Sequence, residues 1–107
     1  MVAGEVRFLS HSLNQKHMTY TQVLQAQRDN GFEEMQKLIN SGEVWKMEGS
    51  MGRYAMDCLR SGACFLPKKS TTDYYGNRIP SRDEVEEGST GSFKNSVNYY
   101  TYSLFTI

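Results

Sequence analysis

The segment from Thr19 to Gly42 constrains the fold more than any other, because it carries a start signal, a periodic face and a stop signal in order. Thr19 with Gln22 three residues later fits a capping box: the hydroxyl accepts an orphan backbone N–H and the glutamine reaches back to the cap. Tyr20, Val23, Leu24, Gln27, Gly31, Met35, Leu38 and Ile39 then recur at steps of three and four and draw one face. The phase holds across Asn30-Gly31, although a glycine costs about 1 kcal/mol inside a helix. The pattern predicts one helix over about 20–41, bent at Gly31 where close packing calls for a missing side chain. Gly42 closes it as the left-handed residue after the last turn.

A second helix is predicted over about 50–61, capped by Ser50 and stopped by Gly62. Tyr54, Ala55, Cys58 and Leu59 form its buried side, and Asp57 and Arg60 face water. Between the helices, Glu43 to Glu48 is too short for another one and reads as a strand or an extended link. Its Trp45 either covers one edge of the core or walls a ligand. Ala63 to Leu66, an apolar run ending at Pro67, reads as a buried strand.

Periodicity fades from Lys68 to Ser92. Tyr75-Gly76-Asn77-Arg78 signals a turn, Ile79-Pro80 an extended dipeptide, and Gly88 to Ser92 a hinge or an anion-sized nest. A loop of this length is functional or ordered by its own side chains. From about residue 97, Tyr99, Tyr100 and Tyr102 among Thr and Ser predict a C-terminal strand or tail. Residues 1–17 read either as an N-terminal extension before an initiator at Met18 or as an edge strand, since Val6 and Phe8 alternate with Glu5 and Arg7. The whole is a small single α+β domain of two main helices, short strands and a long ordered loop.

Charge narrows the function classes. Twelve basic residues balance twelve acidic ones, so the formal net charge is zero. That argues against general duplex binding, which rests on lysine and arginine neutralising phosphates. No apolar run approaches the roughly 20 residues of a membrane span, and Met1 to His17 lacks the apolar core of a signal peptide. Cys58 and Cys64, each among apolar neighbours, are expected to be reduced and to act as small hydrophobes. Two cysteines and the distant His11 and His17 do not make ligand pairs at zinc spacing, so no metal is expected.

Catalytic signatures are missing. The chain has no Gly-x-Ser-x-Gly elbow, no His-Glu-x-x-His and no complete phosphate loop with its lysine. Its histidines both precede Met18, away from the predicted core. A non-enzymatic protein without a cofactor is the expectation.

Binding residues are easier to find. Glu48-Gly49-Ser50-Met51-Gly52-Arg53 lies where an extended segment turns into a helix, a junction that leaves N–H groups able to hold an anion. Arg53 in a first helical turn opposes the helix dipole, which makes sense if it faces an anion, either Glu48 or a phosphate. The loop adds Lys68, Lys69, Tyr74, Tyr75, Arg78 and Arg82. Guanidinium groups beside aromatic faces suit a phosphorylated small molecule. The competing reading has the arginines brace the loop against Glu48, Asp57 and Asp83. The candidate ligand-binding set is Glu48, Ser50, Gly52, Arg53, Tyr74, Tyr75, Arg78 and Arg82.

Several segments together carry a resemblance: Gly31-Phe32-Glu33-Glu34-Met35, Ile39-Asn40-Ser41-Gly42, Trp45 through Ser50, Gly52-Arg53, Ala55-Met56-Asp57, Ser61-Gly62-Ala63-Cys64 and Tyr75 through Arg82, with Glu84-Val85 and Gly88 to Ser92. With them the stretch from Met18 to Ser92 resembles a family of small hypothetical proteins encoded by tailed bacteriophages. The resemblance implies a phage origin and carries no activity with it; the expectation built on that origin is a non-enzymatic accessory protein in the host bacterial cytoplasm that binds and inhibits or sequesters a host or defence factor, or a phosphorylated small molecule. A virion or assembly-associated protein and a small nucleotide-processing enzyme are the alternatives. A homo-oligomer is compatible with any of these.

Overall fold

A computed structural model of the chain describes residues 18–105, with side chains to residue 102; the predicted N-terminal extension or edge strand lies outside the described residues. The order of elements is α1 (Tyr20–Asp29), α2 (Glu33–Ser41), a 3-10 turn (Glu43–Lys46), α3 (Gly49–Ser61), β1 (Thr71–Thr72), β2 (Arg78–Ile79), a 3-10 turn (Arg82–Glu84) and α4 (Phe93–Phe105). The strands pair antiparallel, Thr71 opposite Ile79 and Thr72 opposite Arg78. This is an α+β domain dominated by helices. Among the described residues no helix is long and apolar enough to cross a membrane.

The capping box forms as predicted. Thr19 N–H donates to Gln22 Oε1 at 2.8 Å, and Gln22 N–H donates to Thr19 Oγ1 at 3.1 Å. The single helix over 20–41 does not form; it divides into α1 and α2. Gly31 adopts φ +84°, and a Cβ placed on it would meet nothing within 4 Å. The glycine therefore serves backbone conformation and not close packing. Gly31 N–H donates to Arg28 C=O at 3.3 Å and Phe32 N–H to Gln27 C=O at 2.8 Å, the paired bonds of a Schellman ending.

The organising element is the extended segment Ala63 to Leu66, which all four residues bury. It is not the predicted strand, because among the described residues no other strand lies beside it. Its side chains serve two apolar clusters: Cys64 and Leu66 join Met35, Ile39, Val44, Ala55, Cys58 and Leu59, whereas Phe65 joins Val23, Val97 and Tyr100. Its peptide groups are satisfied largely by side chains. Ala63 C=O accepts from Gln27 Nε2 at 3.1 Å and from the Tyr100 hydroxyl at 2.7 Å. Phe65 exchanges two bonds with the Gln36 amide, and Leu66 C=O accepts from Arg82 Nε at 2.9 Å. Buried peptide groups need such partners, and here α1, α2, α4 and the second 3-10 turn supply them as side chains.

Two further expectations are corrected. Of the stretch Glu43 to Glu48, expected as a strand or an extended link, Glu43–Lys46 is a 3-10 turn and only Met47 and Glu48 after it are extended. The C-terminal strand or tail is helix α4, whose Ser96, Val97 and Tyr100 are buried at helical spacing. Ser92, read as part of a hinge or nest, caps this helix instead: its Oγ accepts the Asn95 N–H at 3.1 Å. Ser96 Oγ then donates to Gly62 C=O at 2.6 Å, docking α4 on the end of α3.

Candidate functional site

Three short elements converge on one side of the core. Gly42, at φ +80°, ends α2 and swings the chain into the 3-10 turn, where buried Val44 anchors it and half-buried Trp45 packs on the same cluster. The β1–β2 hairpin lies over this corner, since a Cβ on Gly42 would sit 3.0 Å from Thr71 Cγ2. Tyr74 N–H donates to Trp45 C=O at 3.3 Å. The hairpin tip is held from within: Asp73 Oδ1 accepts the N–H groups of Tyr75 and Asn77 at 2.9 and 2.8 Å. These donors, Asn77 first, hold the Asp73 carboxyl below its usual range. Tyr74 and Tyr75 therefore stand out from a rigid turn, 73% and 84% exposed, with rings edge to face.

Helix α3 supplies the third wall. Glu48, not Ser50, occupies the N-cap position and its side chain makes no capping bond. Its carbonyl accepts from Met51 and Gly52, which leaves the N–H groups of Gly49 and Ser50 without an intrahelical acceptor. Ala55, Cys58 and Leu59 go to the core as predicted, but Tyr54, expected beside them, is 48% exposed. Gly49, Gly52, Arg53, Met56, Asp57 and Arg60 form the opposite stripe and line a cleft of about 820 Å³ shared with Trp45, Lys46, Met47, Tyr74 and Tyr75.

Of the eight sequence-predicted residues, the fold brings Glu48, Gly52, Arg53, Tyr74 and Tyr75 to this cleft. Ser50 sits in the first turn of α3 and does not line it. Arg78 and Arg82 are engaged elsewhere. Arg78 pairs bidentately with Glu84, at 2.5 and 2.8 Å. Arg82 donates to Leu66 C=O and lays its guanidinium 4.9 Å from the Phe65 ring centroid and 5.5 Å from that of Tyr20. For these two the bracing reading describes what is seen, with partners other than Glu48, Asp57 and Asp83. Lys68 lines a separate depression with Tyr20, Arg82, Asp83 and Phe93.

Arg53 differs from both. Among the described residues it forms no ion pair. Its Nη1 lies 3.4 Å from where a Gly49 side chain would begin, so the guanidinium folds back over the helix start. Lys46 and Glu48 are likewise unpaired, whereas Arg60 and Asp57 bind each other at 3.0 Å. The Trp45 indole N–H is closed off from solvent and has no partner among the described residues. Sequence reasoning missed Lys46, Met47, Met56, Asp73 and Arg60 as lining residues. The last three-and-four-residue stripe, from Gly49 to Arg60, could have been extended from Arg53 by helical spacing alone.

Cys58 and Cys64 are free and buried beneath the other face of α3. Burial pushes both thiols above their ordinary range, Cys64 the further. They behave as neutral core groups. No group of three or more metal-ligating side chains gathers among the described residues.

No family model, curated protein or solved structure matches the chain.

Proposed function

We propose that the protein acts by binding a phosphorylated small molecule with an aromatic ring in the cleft between α3, the 3-10 turn and the hairpin tip. The observation that carries this reading is Arg53: an unpaired guanidinium folded over a helix start with free N–H groups, in a cleft walled by Trp45, Tyr74 and Tyr75. A helix N-terminus and a guanidinium both attract anions, and planar aromatic faces take a planar base. The reading is of binding without turnover. Asp57 is occupied by Arg60 and Asp73 by its own turn, which leaves Glu48 as a lone unpaired carboxylate in a cleft whose lining has no histidine to share acid–base work with it. In the phage setting that the sequence resemblance implies, the bound molecule would be withdrawn from the host cytoplasm.

A panel of nucleotides and phosphorylated metabolites tests this by thermal shift. A ligand that raises the melting temperature of the wild type and leaves Arg53→Ala unmoved, with the apo variant still folded, supports the reading. An equal rise in the variant refutes it.

A second reading rests on the exposed tip. Tyr74, Tyr75 and Met47, exposed together on one side, have the composition of an interface anchor. A host protein docking there would be lost on Tyr74→Ser with Tyr75→Ser, whether or not Arg53 is present.

A further inference from the structure

We infer that two copies of the chain pair through this face, with Tyr74 and Tyr75 of each lying over the cleft mouth of the other. The inference goes beyond the ligand reading and does not depend on it, since the second copy meets the rim of the cleft. Among the described residues six large hydrophobic side chains are exposed, and three of them, Met47, Tyr74 and Tyr75, stand at this one cleft. Such a concentration marks a contact surface.

The two tyrosines form a hook that the fold has already set. Asp73 fixes the turn beneath them, and their rings meet edge to face with centroids 5.2 Å apart. Side chains ordered beforehand lose less freedom on association. Beside the hook lies a hole, the cleft walled by Trp45, Met47 and Met56. When hook and hole share one face, a two-fold axis across that face seats each copy's hook over the other's hole.

Charge favours a second copy over a foreign partner. A face of one sign selects a partner of the opposite sign, whereas a face carrying both can select itself. Among the described residues two cations of the lining have no ion pair, Lys46 and Arg53, and two carboxylates have none, Glu48 and Asp73. Asp73 keeps its charge within the turn, because the N–H donors there favour the carboxylate. The start of α3 carries one charge of each sign, since Arg53 folds back beside Gly49, the residue after Glu48. Across a two-fold axis at that point each Arg53 meets the Glu48 of the other copy. The chain's formal net charge of zero adds no long-range repulsion between copies.

Sedimentation velocity of the ligand-free full chain, from about 1 μM to about 1 mM, tests this. The wild type is expected to shift from a monomer of 12.3 kDa to twice that mass. Tyr74→Ser with Tyr75→Ser is expected to weaken the dimer at least about a hundred-fold. Arg53→Glu and Glu48→Arg, each measured alone, are expected to weaken it about ten-fold, since each sets like charges against each other across the axis. Mixed in equal amounts, these two variants are expected to regain wild-type affinity as a heterodimer, in which both cross-axis pairs are again of opposite sign. Circular dichroism spectra matching the wild type establish that each variant is folded. A wild type that stays monomeric throughout overturns the inference and leaves the ligand reading standing. A dimer that survives the tyrosine substitutions, or a mixture no tighter than its two components, overturns it too.

Discussion

The Gln36 side chain meets Phe65 as one peptide group meets another. Its Nε2 donates to Phe65 C=O at 2.8 Å and its Oε1 accepts the Phe65 N–H at 3.0 Å. The same amide accepts from Gln27 Nε2 at 2.7 Å and donates to Asn40 Oδ1 at 2.8 Å. One buried amide on α2 thus supplies the ladder partner for the central segment that no strand among the described residues provides. Gln36 is 3% exposed, so water cannot replace it.

Gln36→Leu keeps the volume and deletes those bonds. Two Phe65 peptide groups and the Gln27 amide lose a partner in the interior, at about 1–3 kcal/mol for each buried group left unsatisfied. We expect a loss of about 2–4 kcal/mol after local rearrangement, read as a lower denaturant midpoint at unchanged slope.

Two glycines of the same left-handed type separate strain from crowding. Gly62 adopts φ +102°, and a Cβ there would lie 2.6 Å from Asn95 O and 2.7 Å from Tyr99 Cβ. Gly31 adopts φ +84° with open space around it. Gly31→Ala should cost about 1–2 kcal/mol, the left-handed penalty alone. Gly62→Ala should cost clearly more, because α4 must move off the end of α3. Thermal unfolding of the two variants side by side checks the order.

The ion pair between Arg78 and Glu84 gives the loop a pH dependence. Arg78 holds the Glu84 carboxyl down to about 2, with Ser81 assisting, against an ordinary value of 4.5. A lowered folded value means that the contribution is full above pH 4.5 and is lost as pH falls from there through about 2. An NMR titration of the Glu84 carboxyl should show this midpoint, and Arg78→Ala should return most of the shift.

Much of the local structure was legible because it depends on neighbours in sequence. Thr19 and Gln22 cap α1 across one turn. Gly42 and Gly62 stop helices by adopting a conformation that costs other residues energy. The side of α3 carrying Ala55, Cys58 and Leu59 follows from helical spacing. The break at Gly31 was harder to read, since an in-phase apolar face suits a bent helix as well as two separate ones. The strand expected at Ala63 to Leu66 failed for another reason: an apolar run specifies burial, and its hydrogen-bond partners decide whether it is a strand.

By itself, then, the sequence determined the start of α1, the stops of α2 and α3, the burial of the central segment and the α+β class, because caps, periodicity and glycine conformations act within a few residues. It also marked Arg53, whose cation opposes the dipole of its own helix. Only the tertiary structure decided which arginines were spent. Arg78 and Arg82 resembled Arg53 in sequence, but long-range packing delivered Glu84 to one and the Leu66 carbonyl and the Phe65 ring to the other. Whether a charge is free to bind depends on what the fold places within a few ångströms of it, and those partners lie 6 to 17 positions along the chain.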